Sequence, residues 1–251
     1  MKQFDYLGEA YPITGDESQF EKNINFKKMT KQGASLGSML SSLELRGYFE
    51  SISAGISVKD GQPFPMLTYS FMDYFESHDF SDYHLIEFGS GNSTLYFESR
   101  VKSLTTFETN FEWYSKIKDS LTKTTYIHVD STKLLNGEFN LDLDDTDYNI
   151  VIIDTACNRY KLTNHVLNKG KPAFIVLDNS DWYRNTAELI FSFNYFEIPF
   201  WGYKNTEHWE SCTSLFIRLD NTIIPKLNNY NPPPLSRKHT QEPWDNPESK
   251  L

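Results

Sequence analysis

Cysteine is nearly absent from the 251 residues: Cys157 and Cys212 stand alone. Two are too few for a disulfide framework or a four-cysteine zinc site, and a reducing compartment suits such a chain. Histidine is also sparse. His78, His84, His128, His165, His208 and His239 show no H-x-x-x-H metal spacing. No stretch reaches the roughly 20 apolar residues of a membrane span, and the opening MKQFDYLGEAYPITGDE lacks the apolar run of a signal peptide. The expectation is a soluble, cytoplasmic chain with no membrane partner. Basic residues are outnumbered, 24 against 34 acidic, for a formal charge of −10. A phosphate backbone is repelled at long range by that balance, so nucleic acid is not an expected partner. Neither a G-x-S-x-G nucleophile elbow nor a Walker lysine occurs. Oligomeric state is left open.

What the chain does have is apolar and aromatic material, 39% and 16% of its residues, enough for one full-sized domain with extensions. Residues 1–62 are polar and loosely patterned, with an amphipathic stretch around Leu36 to Phe49, and read as a helical extension or lid. After Pro63-Phe64-Pro65, the residues Met66 to Phe75 carry apolar side chains at helical spacing. From Tyr83 onward short apolar runs alternate with helix-length segments: 84–88, 103–108, 124–130, 149–155, 173–179, 195–201 and 212–219. Alternation of this kind predicts right-handed crossovers and a mostly parallel sheet with helices on both faces. Only Gly202 to Ser211 separates the last two runs. Ten residues are too few for a parallel crossover, so the seventh strand is expected antiparallel. The core domain is placed at 63–220, followed by a proline-rich tail at 221–251 that cannot bury much apolar surface.

The sharpest local signal is LIEFGSGNST, Leu85 to Thr94, a strand running into a glycine loop and then a helix. Gly89 and Gly91 permit a tight turn and close approach of a ligand, Ser93 or Thr94 can cap the helix, and the helix N-terminus offers free N–H groups. About twenty residues on, the second strand ends at Glu108, where a carboxylate can take both ribose hydroxyls. A nicotinamide dinucleotide would use such an acid too, but the loop lacks the third glycine of that fingerprint. Asp154 and the pair Asp178-Asn179 close the fourth and fifth runs, at the sheet edge where open α/β folds bind ligands. These oxygen donors suit a hard divalent ion. Asp142, Asp144, Asp145 and Asp147 lack the central glycine of a calcium loop and read as a solvated turn.

Glu87 to Thr94, Thr106 to Tyr114, Ile152-Ile153-Asp154 and Val176 to Trp182 together resemble the successive motifs of class I S-adenosylmethionine-dependent methyltransferases, over roughly Pro63 to Leu219. The resemblance implies a Rossmann-like sheet of seven strands, the last antiparallel. It assigns the cofactor, S-adenosylmethionine, to Glu87, Gly89, Ser90, Gly91, Asn92, Ser93, Thr94, Glu108, Asp130 and Asp154, with Asp130 nearest the adenine. The Asp154 and Asp178-Asn179 set is similar to that of metal-dependent catechol-type O-methyltransferases, which implies Mg2+ or Mn2+ held by Asp154, Asp178 and Asn179. This chain departs from them in reading Thr155-Ala156-Cys157-Asn158-Arg159 where many have a lysine shortly after the aspartate. Asp154, Asp178 and His208 become the catalytic candidates, with His208 a general base. Arg159, Trp182 and Trp209 become the substrate candidates, as a guanidinium clamp and two stacking rings. The expected activity is methyl transfer to an oxygen, less readily a nitrogen, of a small molecule such as a saccharide or natural-product intermediate. A nicotinamide-dependent oxidoreductase and a non-catalytic scaffold of the same fold are the competing readings.

Overall fold

A computed structural model of the chain describes residues 2–6, 9–13, 31–141, 143 and 148–227. Contacts divide it at Arg46, where the compact unit that carries the sheet begins. Ahead of that point the extension is not helical throughout. Lys2–Tyr6 and Glu9–Ile13 pair antiparallel, with Phe4 opposite Tyr11 and Lys2 opposite Ile13. Phe4 and Tyr6 in the first, and Tyr11 and Ile13 in the second, recur at period two, a strand signal that the polar composition hides. Helix α1, Lys31–Leu45, covers much of the amphipathic stretch. The aspartates at 142, 144, 145 and 147 and the tail from 228 onward lie outside the described residues.

The compact unit opens with helix α2, Tyr48–Ala54, and a small antiparallel pair, Val58–Lys59 with Gln62–Pro63. Residues 46–62 therefore belong with the sheet unit, not with a separate extension. Helix α3 runs over Tyr69–Ser77 and buries Tyr69, Phe71, Met72 and Phe75. Seven strands follow: β1 His84–Phe88, β2 Ser103–Glu108, β3 Thr125–His128, β4 Asn149–Ile153, β5 Phe174–Leu177, β6 Tyr195–Gly202 and β7 Ser211–Arg218. They lie in the order β6-β7-β5-β4-β1-β2-β3. The β5–β4, β4–β1, β1–β2 and β2–β3 pairs are parallel, whereas β7 is antiparallel to both β5 and β6.

The central strands NIVII and FIVL are buried at every residue, as expected of parallel strands covered on both faces. Alternation sorts their side chains. Val151, Ile153, Ile175 and Leu177 pack with Phe88 and Phe107 among Leu162 and Val166 of helix α7, Arg159–Lys169, and Ala187 and Ile190 of helix α8, Arg184–Ser192. Ile150, Ile152, Phe174 and Val176 face the opposite layer, which holds Phe71 and Phe75 of α3 and Phe80. Phe88, fully buried, stacks on Phe107 with centroids 5.0 Å apart and meets Phe139 edge-on at 5.5 Å.

That stack lies next to the loop ends described below, and its loss is expected to be costly. Phe88→Ala should destabilise the fold by about 3–5 kcal/mol, read as a lowered midpoint with unchanged slope in urea denaturation. A loss below about 1 kcal/mol would show that the stack is not part of the core.

Candidate active site

The order of strands reverses between β1 and β4, because the connections leaving them run to opposite sides of the sheet. A crevice at the carboxyl ends of the strands is expected at such a point. Backbone hydrogen bonds lock those ends together: Gly89 N donates to Phe107 O at 2.9 Å, Asp154 N to Phe88 O at 3.0 Å and Asp178 N to Ile153 O at 3.2 Å. Gly89 has φ 94°, and a Cβ there would lie 2.0 Å from the Asp154 carbonyl oxygen. Only glycine permits both the left-handed turn and the approach of the β4 loop.

Helix α4, Asn92–Phe97, follows the glycine loop directly. Thr94 Oγ1 accepts from Gly91 N at 3.1 Å and donates to Glu87 Oε2 at 2.6 Å. Ser93 Oγ donates to Glu87 Oε1 at 2.5 Å and Thr106 Oγ1 to Glu87 Oε2 at 3.1 Å. Glu87 is thus a buried carboxyl held by three hydroxyls, and no ion pair reaches it among the described residues. Burial pushes its pKa up to about 7, with the hydroxyls pulling back and the charge of Asp154 adding to the rise.

Glu108 ties the loop from the other side. Its Oε2 accepts from Ser90 N at 2.9 Å and Ser90 Oγ at 2.6 Å, and its Oε1 from Asn110 N at 2.7 Å. Three of the roughly four acceptor positions of a carboxylate are thereby used inside the protein. Helix α5, Phe111–Ile117, is capped by Asn110 and brings Trp113, whose indole N–H donates to Ser90 O at 2.7 Å. Asp130 caps helix α6, Ser131–Leu135, by accepting from Thr132 N at 2.8 Å and Lys133 N at 3.4 Å. These two bonds hold its carboxyl below the usual range.

A cleft of about 220 Å³ opens over this loop. Ser90, Gly91, Asn92 and Ser93 line it together with Trp113, Asp154 and a wall of Ile56, Ser57, Phe64 and Met66. Larger cavities lie elsewhere, notably 740 Å³ between α7 and α8 near Tyr160 and Glu188. That groove gathers none of the strand-end acids, so chemistry, not size, selects the smaller cleft.

Arg159 differs from the expected substrate clamp. It is buried, donates to the carbonyls of Thr155, Ile153 and Asp178 and to Asp154 Oδ1 at 2.9 Å, and lies 4.4 Å from the Tyr183 ring centroid. Those partners occupy the donors a substrate anion would need. The expected divalent-ion site is not assembled either. Lys204 Nζ donates to Asp178 Oδ2 at 2.6 Å and Thr213 Oγ1 to Oδ1 at 2.8 Å. With its amide oriented to satisfy both neighbours, Asn179 donates to Asp178 at 2.8 Å and accepts from Lys204 at 3.0 Å. Among the described residues no cluster of three or more His, Cys, Asp or Glu could hold a metal. The oxygen donors are satisfied by the chain's own cations, so the residues do not fit the ion. Burial and the neighbouring Asp154 raise the Asp178 pKa, while Lys204 and Thr213 oppose the rise.

His208 and Trp209 are exposed on the β6–β7 loop, ring centroids 4.5 Å apart and edge-on. Trp182 is exposed on the loop after β5. Asp181 Oδ1 accepts from Cys212 N at 3.1 Å, which ties the loop after β5 to the start of β7. Sequence reasoning overlooked Lys204, Trp113 and the Ile56–Met66 wall. Lys204 alone had a usable signal, as a base in a loop predicted at the same edge as two acids.

No family model matches the chain, and no curated protein matches its sequence. Solved structures that it resembles include a precorrin-6y C5,15-methyltransferase from Geobacter metallireducens, 15% identical over 59% of this chain and 87% of that one, TM-score 0.45. Another is the O-methyltransferase TomG from Streptomyces achromogenes, in complex with SAM, 11% identical over 78% and 99%, TM-score 0.47. A third is the N-methyltransferase NodS from Bradyrhizobium japonicum, 10% identical over 59% and 91%, TM-score 0.43. The sheet itself has six strands of one sense, with β7 inserted antiparallel between β5 and β6. The chain has a Rossmann-like fold, the mostly parallel seven-stranded sheet with one antiparallel strand that the sequence predicts.

Within that fold the two loop glycines are expected to behave differently. Gly89→Ala meets backbone and should cost about 2–4 kcal/mol of stability. At Gly91, φ is 177° and the atom nearest to an added Cβ is Ser93 Oγ at 3.9 Å. Gly91→Ala should therefore leave the melting temperature nearly unchanged, and equal losses at both positions would refute this assignment. Glu87 adds a pH signature. Its carboxyl titrates near 4.5 when unfolded and about 7 when folded, so the folded state holds the extra proton between those values. Stability then falls as pH rises toward 7, by on the order of 3 kcal/mol in all. Glu87→Gln should remove that share of the slope in denaturation series from pH 5 to 8; an unchanged slope would place the proton elsewhere.

Proposed function

We propose that the chain transfers a methyl group from S-adenosylmethionine to an oxygen, less readily a nitrogen, of a small molecule, with a saccharide or natural-product intermediate as the acceptor class. Glu87 carries this reading. Of the four acids at the strand ends, Asp154 has Arg159, Asp178 has Lys204, and Glu108 is taken up by the backbone N–H groups of Ser90 and Asn110 and the Ser90 hydroxyl. Glu87, behind the loop that floors the cleft, has hydroxyls only. A ligand bringing positive charge into that cleft gains Coulomb energy that no side chain has already spent.

S-adenosylmethionine when bound supplies an electrophilic methyl carbon on a sulfonium, beside an amino-acid cation. Ser90 to Ser93 and Asp154 would hold its methionine part, and Trp113 and the Ile56–Met66 wall would exclude water from it. Glu108, which fixes Ser90, has one acceptor position left for a ribose hydroxyl. The fixed acids favour the positive ground state, which is discharged during transfer, so they act in binding and not in acceleration. Removing the acceptor proton falls to a group on the loops, and His208, exposed between β6 and β7, is the candidate base. Trp182 and Trp209 present indole faces on adjoining loops, suited to a flat or sugar-like acceptor.

The decisive measurement is a melting curve with S-adenosylhomocysteine or S-adenosylmethionine. A ligand at 100 times its Kd stabilises by about 2.7 kcal/mol, which for a chain of this size is a rise of roughly 5–10 °C. No shift with either ligand would end the methyltransferase reading.

A further inference from the structure

Lys204 is fully buried in the β6–β7 loop, with its ammonium between Asp178 and Asn179. A buried ammonium must be paired and hydrogen-bonded to be tolerable, and here both conditions are met by the two residues whose oxygens would otherwise suit a divalent cation. Thr213 takes the other Asp178 oxygen, and the third donor, Asp154, is held by Arg159. The loop is fixed beyond this pair as well. Asn205, also fully buried, donates to Ser57 Oγ at 3.1 Å and to Val58 O at 3.4 Å, and it is hydrogen-bonded to the Tyr69 hydroxyl. Ser57 lines the cleft, and its carbonyl accepts from Asn92 Nδ2 at 2.5 Å. One continuous set of contacts therefore runs from the end of β5 through Lys204 and Asn205 to the cleft wall and the glycine loop.

We propose that Lys204 is a built-in replacement for a divalent ion at the end of β5: its ammonium occupies the Asp178–Asn179 oxygens, excludes metal from them, and positions the β6–β7 loop against the cleft wall. Lys204 is a positioning residue, since full burial keeps it from touching an acceptor. Insofar as the methyltransferase reading holds, on which this one consequence rests, the acceptor is not bound by chelation and needs no pair of vicinal oxygens. Arg159 serves Asp154 in the same way.

Mn2+ is the probe, because its free ion has an electron paramagnetic resonance signal that disappears on binding. The full chain is titrated with Mn2+ as wild type, Lys204→Ala, and Lys204→Ala combined with Asp178→Asn. Wild type is expected to leave Mn2+ free up to several times the protein concentration. Lys204→Ala, by uncovering Asp178 and Asn179, is expected to bind one Mn2+ per chain at least tenfold more tightly than wild type, and the double variant to lose that site. Wild type binding one Mn2+ per chain, with loss on Asp178→Asn, overturns the proposal, as does a folded Lys204→Ala that gains no affinity. Should Lys204→Ala not fold, the wild-type titration decides alone: free Mn2+ supports Lys204 as the resident cation, and uptake lost on Asp178→Asn refutes it. A parallel melting series of wild type with S-adenosylhomocysteine, in EDTA and in Mn2+, should give shifts equal within about 1 °C. Absence of any shift in that series would count against the methyltransferase reading while leaving the Mn2+ result intact.

Discussion

The absence of a Cβ at position 89 is the constraint on which the site depends. With the Asp154 carbonyl oxygen 2.0 Å from where that carbon would sit, β1 and β4 can end side by side only over glycine. Their adjacency sets the switch point, and the switch point is where the cleft opens. Everything that lines the cleft is then held by reference to these two strand ends. Ser90 is drawn to Glu108 on β2, Trp113 caps the Ser90 carbonyl, and Asp154 is hydrogen-bonded through its own N–H to Phe88.

Placing strand ends together also concentrates charge, because the ends of β1, β2, β4 and β5 each carry an acid. Glu87 and Asp178 are both raised in pKa in part by Asp154, so the three repel one another in a region of low exposure. The chain resolves the repulsion in two ways. Asp154 and Asp178 receive basic side chains that are themselves buried, Arg159 and Lys204. Glu87 receives hydroxyls, which can stay bonded to it whether or not it carries a proton. A carboxyl so arranged has a charge that a ligand can change, whereas a carboxylate already paired to a resident base does not respond in that way. The distinction separates an acid held by hydroxyls from two held by resident bases.

The sheet was legible in the sequence because burial on both faces leaves an unbroken apolar record, as in NIVII and FIVL, and because a ten-residue connection cannot cross a sheet. The glycine loop was legible for a similar reason, since strand, glycines and helix must follow one another within a few residues. Partnerships across long separations were not. Arg159 was expected at a substrate because a base near a strand end looks available from sequence alone, and only the fold shows it turned inward onto three carbonyls. Lys204 lies 26 residues from Asp178, in a loop whose histidine and tryptophan drew attention because of their chemistry. The Ile56–Met66 wall escaped notice because its residues have no common spacing; what unites them is contact with the loop, through Ser57 and Asn92.

The metal expectation does not fit the structure, because the oxygens it named already have partners within the chain. Oxygen ligands at a strand end specify a cation of some kind, and a list of oxygens does not tell a divalent ion from an ammonium. What distinguishes them is coordination number: Mg2+ takes six oxygens at about 2.1 Å, whereas an ammonium has three donors to satisfy. Asp178 and Asn179 offer Lys204 two oxygens at 2.6 and 3.0 Å, within hydrogen-bond range and well beyond the contact distance of a Mg2+ ion. A chain that supplies its own cation keeps that charge at a fixed place on a covalent stem. The β6–β7 loop is the stem, so the loop bearing His208 and Trp209 takes its position from the same ammonium that closes the β5 end.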